Sequence, residues 1–237
     1  IFLKPCTRKL PEVKITKQKD AMLRMKVYVR QMNVLKNKPA TVSESIVYMY
    51  FKENTDKDKP HSYKILSEAR YKDEKAFEGE TKMLRSMANF YNTLKGSRRI
   101  RSGWKRLGMV CYMNEDPINK RCEIVTDSMF SDKPFKVPVL GFSFGDVYNS
   151  ETYSTEYGEP KIYNLINMTD RYRAYQTKTM GYVDTVVEMY ILGIELVSKA
   201  EMKADKKLKP VPFERPEGIV TTGDWLTAAI KRMTKTE

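Results

Sequence analysis

The sequence predicts an α+β fold in a single domain, because strand-like and helix-like patterns both recur along its 237 residues. Some segments alternate apolar and polar residues, which is the period of a strand with one buried face. Others place apolar residues at helical spacing. An apolar content of 41% is enough for a substantial core. We therefore expect one globular domain over residues 21–237, packed by two to three helices, behind an arm formed by residues 1–20.

The arm is expected to be basic and flexible, since it contains Pro5, Pro11 and several cations but little apolar periodicity. Eleven lysines and arginines lie in residues 1–40, against two acids. The chain begins with Ile1 and not with Met, so we expect that a preceding N-terminal piece has been lost. The arm residues predicted to contact a polyanion are Lys14, Lys17 and Lys19.

The first element after the arm is a predicted strand over residues 23–30, where Leu23, Met25, Val27 and Val29 alternate with basic and aromatic residues. The basic side chains of this strand then share the face opposite the core. Three further strands are predicted over residues 63–66, 104–113 and 121–126, the last two joined as a hairpin. Residues 183–197 fit both a strand and a helix, and their Val, Ile, Tyr and Thr content favours the strand.

Three helices are predicted from apolar spacing and capping residues. Residues 41–54 begin with Thr-Val-Ser-Glu, which has the form of a capping box. A longer helix is expected from Asp73 to about Leu94, with acids in its first turns. Residues 224–233 place Trp225 on the apolar face of a helix near the end of the chain.

The remaining segments are predicted to be irregular. Residues 130–145 are apolar but interrupted by proline, and residues 146–160 are acidic and rich in Tyr, Ser and Thr. We expect the second of these to be an exposed loop that is open to phosphorylation. Residues 203–209 read as a basic linker, and the three prolines of residues 210–217 keep that stretch extended.

A cluster of six cations without an intervening acid, in residues 95–106, is the strongest functional signal in the sequence. It suits an anionic membrane or nucleic acid, because unneutralised like charges repel one another. A solvated helix end is the alternative, and this cluster or residues 203–209 could instead form a nuclear import signal. Its members are Lys95, Arg98, Arg99, Arg101, Lys105 and Arg106.

An apolar segment is a second candidate surface, for self-association or for insertion into a membrane interface. The alternative interpretation is buried core. Its residues are Phe135, Val137, Val139, Leu140, Phe142 and Phe144.

No enzymatic activity and no cofactor are predicted. The sequence contains no phosphate-binding loop, dinucleotide fingerprint or nucleophile elbow, and His61 lies in a polar turn where solvation is the simplest interpretation. Three cysteines without a C-x-x-C pair and a single histidine do not form a zinc set, and they favour a reducing compartment. No apolar stretch reaches the roughly 20 residues of a spanning helix, so any membrane contact is expected to be peripheral.

The order of features resembles that of rhabdovirus matrix proteins, and a plant-infecting or otherwise divergent member of that family would fit best. The similar features are the basic arm, the alternating strand of residues 23–30, the capped helix of residues 41–54 and the Lys-Pro-x-x-Tyr-Lys-Ile-Leu segment of residues 59–66. A Gly-rich turn and Trp225 resemble the closing segment of that family. The budding motif Pro-Pro-x-Tyr is absent.

The resemblance implies an α+β domain with an antiparallel sheet and packed helices. It implies a matrix protein that self-associates, condenses the viral nucleocapsid and links it to the anionic membrane of the envelope, with the viral glycoprotein tail as a further partner. The expected location is the virion beneath its envelope and the host cytoplasm and inner membrane faces, with the nucleus as an additional site. A sequence-indifferent RNA-binding nucleoprotein is the alternative function.

Overall fold

The structure is a computed structural model, and it describes residues 21–52, 60–89, 110–127, 137–139, 142–156, 158, 160–176, 181–219 and 233–236. The first strands of the chain form β1 (Met22–Leu35), β2 (Lys38–Lys52) and β3 (Ser62–Lys72). A 3-10 turn (Glu74–Phe77) and helix α1 (Lys82–Ala88) follow. Strands β4 (Val110–Asp116) and β5 (Arg121–Asp127) then form a hairpin.

The second half of the described chain is also mainly strand. It contains β6 (Val137–Val139), β7 (Phe142–Ser154), a 3-10 turn (Ile162–Asn164), β8 (Leu165–Gln176) and β9 (Tyr182–Val197). Helix α2 (Lys199–Asp205) and the short strand β10 (Thr234–Thr236) complete the elements.

The ten strands in the described part of the chain form one sheet in the order β10-β3-β2-β1-β9-β8-β7-β5-β4, with β6 paired to the start of β7. All of these pairs are antiparallel. Strand β9 pairs with β1 along its length, so it joins the strands of the first third of the chain to β4–β8. The predicted α+β class is therefore wrong: the described chain is mainly β, with two short helices.

The predicted strand at residues 23–30 is confirmed, and the structure extends it to Met22–Leu35. It turns into β2 through Lys36 and Asn37, whose positive φ angles of 47° and 68° suit a two-residue hairpin turn. The side of the sheet that carries Leu23, Met25, Val27 and Val29 is called the core face here. These four side chains pack there with Val47, Met49, Phe51, Met168, Val187 and Met189.

The opposite side, which carries Arg24, Lys26, Tyr28 and Arg30, is called the charged face. The sequence pattern led us to expect basic side chains in solvent on this face, but Tyr28 and Arg30 are completely buried. Met202 of helix α2 packs here against Met22, Tyr50 and Val197. Helix α1 lies on the core face, where the Asn33 and Thr41 side chains donate hydrogen bonds of 2.9 and 2.6 Å to the Ala88 carbonyl.

The predicted capped helix at residues 41–54 is wrong, because residues 38–52 form strand β2 between β1 and β3. Both faces of β2 are covered, so its apolar residues do not alternate cleanly and also fit a helical spacing. Its run of β-branched and aromatic residues favours a strand. Glu44, the supposed partner in the capping box, instead binds Arg215 and Tyr28.

The long helix expected from Asp73 to about Leu94 is wrong as far as it is described. A 3-10 turn and helix α1 take its place, with Gly79 between them at a φ angle of 73°. That angle lies in the left-handed region, where an α-helix cannot continue. Residues 90–94 lie outside the described residues.

The two irregular segments predicted between residues 130 and 160 are mostly strand where they are described, and residues 155, 156, 158 and 160 lie outside any strand. Residues 137–139 pair with Phe142, Ser143 and Phe144, and β7 continues to Ser154 between β5 and β8. The expected exposed loop at residues 146–160 is therefore largely a central strand with a buried core face. Its Thr and Tyr residues suit a strand as well as a loop.

The remaining predictions of secondary structure are partly confirmed and partly wrong. The strands at residues 63–66, 121–126 and 183–197, and the hairpin of β4 and β5, are confirmed within longer or shifted boundaries. The basic linker at residues 203–209 begins inside helix α2, which makes that prediction wrong for its first residues. Strand β8 was not predicted. The arm of residues 1–20 and most of the closing helix with Trp225 lie outside the described residues.

Candidate functional site

Most of the predicted site residues lie outside the part of the chain that the structure describes. This applies to Lys14, Lys17 and Lys19 and to the whole cluster from Lys95 to Arg106. Phe135 and Leu140 also lie outside it. Val137, Val139, Phe142 and Phe144 lie in the paired strands β6 and β7. The described residues therefore offer a different candidate, on the charged face.

This candidate is the basic segment, defined as residues 199–211, which contains helix α2 and the chain that follows it. Residues 208–216 form neither helix nor strand. Five lysines of the segment are exposed, against two acids. The lysines are Lys199, Lys203, Lys206, Lys207 and Lys209.

Helix α2 is fixed at its start by a capping box. The Ser198 hydroxyl accepts a hydrogen bond of 3.1 Å from the Glu201 amide, and the Glu201 carboxylate accepts one of 2.7 Å from the Ser198 amide. These contacts hold the pKa of Glu201 below its ordinary value. Glu201 is thus committed to the helix terminus, where its charge suits the helix dipole.

The end of helix α2 is fixed to the sheet by Asp205. Its carboxylate accepts hydrogen bonds from Arg24 of β1, at 2.5 Å, and from the Tyr50 hydroxyl of β2, at 2.7 Å. Arg24 also forms an ion pair of 2.8 Å with Glu195 of β9. Burial and the contact with Asp205 raise the pKa of Tyr50, which keeps the hydroxyl a donor. Both acids of the basic segment are therefore engaged in holding the helix.

The chain beyond the segment is held by a buried row of charges. Arg30 of β1 lies directly opposite Glu44 of β2 and Glu188 of β9, and its guanidinium hydrogen bonds to Glu188. Arg215 donates two hydrogen bonds, of 2.8 and 2.9 Å, to the Glu44 carboxylate. The Tyr28 hydroxyl donates to the same carboxylate, and burial together with that contact raises its pKa.

Aromatic contacts extend this attachment. The Phe213 ring stacks on Tyr28 with centroids 6.4 Å apart, and Tyr28 stacks on Tyr190 at 6.0 Å. The backbone amide of Val211 donates a hydrogen bond of 2.9 Å to the carbonyl of Leu66 in β3. Residues 206–210 are consequently held between two fixed points, Asp205 and Val211.

The exposed part of the basic segment combines cations with apolar side chains. Leu208 is 46% exposed and Val211 is 61% exposed. Lys203, Lys206, Lys207 and Lys209 form no ion pair with a described carboxylate. The sequence signal for this site was the lysine run before the prolines, and the exposure of the two apolar side chains could not be read from it.

A second surface lies on the charged face of β7, β8 and β9. The Arg173 guanidinium lies 4.3 Å from the Tyr182 ring centroid and binds both oxygens of Asp184, at 2.5 and 2.9 Å. Asp146 also forms an ion pair with Arg173, at 3.3 Å, and accepts a hydrogen bond of 2.6 Å from Tyr175. Its acids neutralise its cations, so this surface does not suit a polyanion.

A buried carboxyl lies on the core face of β8. Asp170 is 1% exposed and lies directly opposite Asn149 of β7. Burial raises the pKa of Asp170 to about 8, against the effect of the Asn149 amide, and nearby Glu151 adds to the rise. The group is too enclosed to meet a large ligand.

The described residues offer few other side chains suited to metal binding or catalysis. They contain no group of three or more His, Cys, Asp or Glu side chains placed to hold a metal ion. His61 is exposed at the start of β3. Cys122 is a buried thiol, and burial raises its pKa, so it is a poor nucleophile. No helix in the described part of the chain has the length and apolar character needed to cross a membrane.

No protein-family model matches the chain, and no curated protein matches it.

Proposed function

We propose that this chain is a non-enzymatic structural protein of the matrix type, which attaches to anionic membrane surfaces through the basic segment. The observation that supports this proposal is the fixed, outward-facing combination of five lysines with Leu208 and Val211. The hydrogen bonds of Asp205 and Val211 order this segment before it meets a partner. Binding therefore loses less conformational entropy than it would for a disordered basic tail.

The composition of the segment favours a lipid surface over a purely ionic partner. Each lysine near an anionic leaflet contributes about 1 kcal/mol to binding. Leu208 and Val211 can enter the interface between headgroups and acyl chains, where an apolar side chain gains about 1.5–3 kcal/mol on full burial. Peripheral membrane binding combines buried apolar area with the attraction of cations to anionic lipids, and the basic segment carries both kinds of side chain.

The resemblance to rhabdovirus matrix proteins predicted the same partner, but it no longer carries the proposal. One of its segments, the capped helix of residues 41–54, is strand β2, and the α+β fold that it implied is wrong. Nucleocapsid condensation, the glycoprotein tail as partner and a location beneath the virion envelope remain predictions. RNA binding by the Lys95 to Arg106 cluster, the alternative function, also remains a prediction.

Binding to lipid vesicles tests the proposed role of the lysines in the basic segment. The variant Lys206→Ala, Lys207→Ala and Lys209→Ala should bind vesicles with 30 mol% phosphatidylserine about a hundredfold more weakly than the unchanged chain, from about 1 kcal/mol per lysine. Co-sedimentation at 0.1 M salt measures this, and neutral phosphatidylcholine vesicles should bind neither protein. A control variant removes three exposed lysines elsewhere, Lys75→Ala, Lys82→Ala and Lys161→Ala, and should lose less than about tenfold.

A variant of the two exposed apolar residues distinguishes membrane binding from RNA binding. Replacing Leu208 and Val211 with Ser should weaken vesicle binding by about tenfold or more and leave binding to single-stranded RNA unchanged, because phosphate contacts need only the cations. Equal vesicle binding by the lysine variant and its control would refute the proposal. Binding of RNA without binding of anionic vesicles would favour the nucleoprotein function instead.

A further inference from the structure

Two lysines outside the basic segment lie on the charged face in one row across the sheet. Lys26 of β1 and Lys64 of β3 are both directly opposite Tyr48 of β2, one on each side of it, and residues directly opposite each other share a face. Neighbouring strands lie about 4.8 Å apart, so the Cα atoms of the two lysines are roughly 10 Å apart. Lys26 is exposed and Lys64 is partly exposed. We call these three residues the lysine row.

The basic segment is attached to the sheet on both sides of the lysine row. On one side, Asp205 binds Arg24 and Tyr50, which form the neighbouring row of the charged face. On the other side, Val211 is bound to the carbonyl of Leu66, two residues beyond the lysine of β3. The chain between these attachment points therefore passes close to the lysine row. The lysines that it carries there are Lys206, Lys207 and Lys209.

These five lysines, two of the row and three of the basic segment, form no ion pair with a described carboxylate. Glu195 and Asp205, on one side of the row, are both bound by Arg24. Gly193 of β9 lies directly opposite Lys26, and a Cβ atom on that glycine would meet no atom within 4 Å, so the sheet surface there is open. Unneutralised cations from three parts of the chain therefore surround an accessible surface, and such a group attracts an anion that carries several charges.

We propose that the lysine row and the basic segment together bind the headgroup of a polyphosphoinositide, a lipid whose inositol ring carries several phosphate groups. This inference rests on the proposed function, in which Leu208 and Val211 bring the lysines to a lipid surface. A phosphatidylserine headgroup carries one net negative charge, so each such lipid offsets the charge of one lysine. Several phosphates on one ring contact several lysines at once, and clusters of basic residues at a membrane surface are known to recognise such headgroups.

Vesicles of matched surface charge test the preference for phosphate groups. The unchanged chain should bind vesicles with about 5 mol% phosphatidylinositol 4,5-bisphosphate at least about tenfold more tightly than vesicles with about 20 mol% phosphatidylserine. Replacing Lys26 and Lys64 with Ala should reduce this preference to less than about threefold, because the phosphates lose two charge-assisted hydrogen bonds. The control Lys75→Ala with Lys161→Ala removes two exposed lysines elsewhere and should keep the preference. Circular dichroism checks that each variant is folded.

Calorimetry without lipid tests the same site on the unchanged chain. Inositol 1,4,5-trisphosphate should bind this chain and the control variant alike, and it should bind the variant of Lys26 and Lys64 at least about tenfold more weakly. Absence of trisphosphate binding, equal binding of the two kinds of vesicle, or the same behaviour of the two variants overturns this inference.

The two proposals fail in different ways. If phosphatidylserine vesicles bind through the basic segment but the preference for the phosphoinositide is missing, this inference alone is wrong. If the trisphosphate binds and neither kind of vesicle does, the membrane function is wrong and so is a lipid as the source of the headgroup.

Discussion

Several ionisable side chains are buried on the two faces of the sheet. On the charged face, Arg30 lies between Glu44 and Glu188 with all three side chains excluded from solvent. Such a row is costly to desolvate, and it is retained only when each charge is paired and hydrogen bonded. Because Glu44 also binds Arg215, this row fixes the position of the chain that follows the basic segment.

Replacement of Arg30 by Met should lower the free energy of unfolding by roughly 3–5 kcal/mol, since Glu188 then keeps a buried charge without its ionic partner. Adding Glu188→Gln should recover part of that loss, giving a positive coupling in a double-mutant cycle measured by urea unfolding. Lys26→Met is the matched control, because Lys26 lies on the same face of the same strand but is exposed. It should change stability by less than about 0.5 kcal/mol. Simple additivity of the two buried substitutions would contradict the paired geometry.

Asp170 predicts a pH dependence of stability. Its pKa is about 8 in the folded chain, against an ordinary value of 3.8, so between these values the folded chain holds a proton that the unfolded chain releases. Its contribution to the free energy of unfolding should therefore fall as pH rises through this window, by up to about 1.4 kcal/mol per pH unit. Asp170→Asn should flatten that slope between pH 5 and about pH 8.

Urea unfolding at several pH values measures the effect as a difference between the unchanged chain and the variant, which cancels the other titrating groups. Glu217→Gln, at an exposed carboxylate, is the control and should leave the slope unchanged. If the free energy of unfolding changed with pH in the same way for the unchanged chain and Asp170→Asn, burial would not be holding this carboxyl protonated.

Among the elements, helix α1 is positioned by its contacts with the ends of three strands. Leu84 is buried in a cluster with Leu35 of β1, Ala40 of β2 and Val183 of β9. Gly181 precedes β9, and a Cβ atom on that residue would lie 2.5 Å from Leu84 Cδ1. A side chain at this position would therefore force the buried Leu84 side chain to move.

Gly181→Ala should lower the free energy of unfolding by about 1–3 kcal/mol, because Leu84 must leave a well-packed position. The same substitution should cost clearly less in a Leu84→Ala background, where the space for the methyl group already exists. Gly193→Ala is the control: a Cβ on that strand glycine meets no atom within 4 Å. Thermal or urea unfolding of the four variants decides the matter, and an equal cost of Gly181→Ala in both backgrounds would rule out the contact with Leu84.

At the scale of the whole molecule, β9 lies at the centre of the sheet although it comes late in the chain. Leu35 pairs with Val183 and Met22 pairs with Val197, so the central seam joins segments far apart in sequence. The basic segment follows β9 immediately and crosses the charged face, while β4 lies at the end of the sheet. The proposed membrane contact therefore lies next to the central strands β1 and β9.

How far the sequence predicts this molecule depends on whether one face of an element is solvated. Residues 183–197 were assigned to a strand from their content of β-branched and aromatic residues, and β9 confirms it. Residues 41–54 were assigned to a helix, because strand β2 is covered on both faces and loses the alternation that marks a half-exposed strand. The basic segment was recognised as basic, but the sequence could not show that Leu208 and Val211 face outward.

The sequence by itself determined the excess of positive charge, the strand character of β1 and β9 and the turn between β4 and β5, because charge, side-chain branching and turn residues act locally. Only the tertiary structure decided that Arg30 and Glu44 are buried partners, that residues 142–154 form a central strand, and that α+β is the wrong class. These features depend on which segments lie beside each other, and pairing between distant strands leaves no local pattern. The physical reason is that a strand buried on both faces lacks the alternation of apolar and polar residues from which strands are predicted.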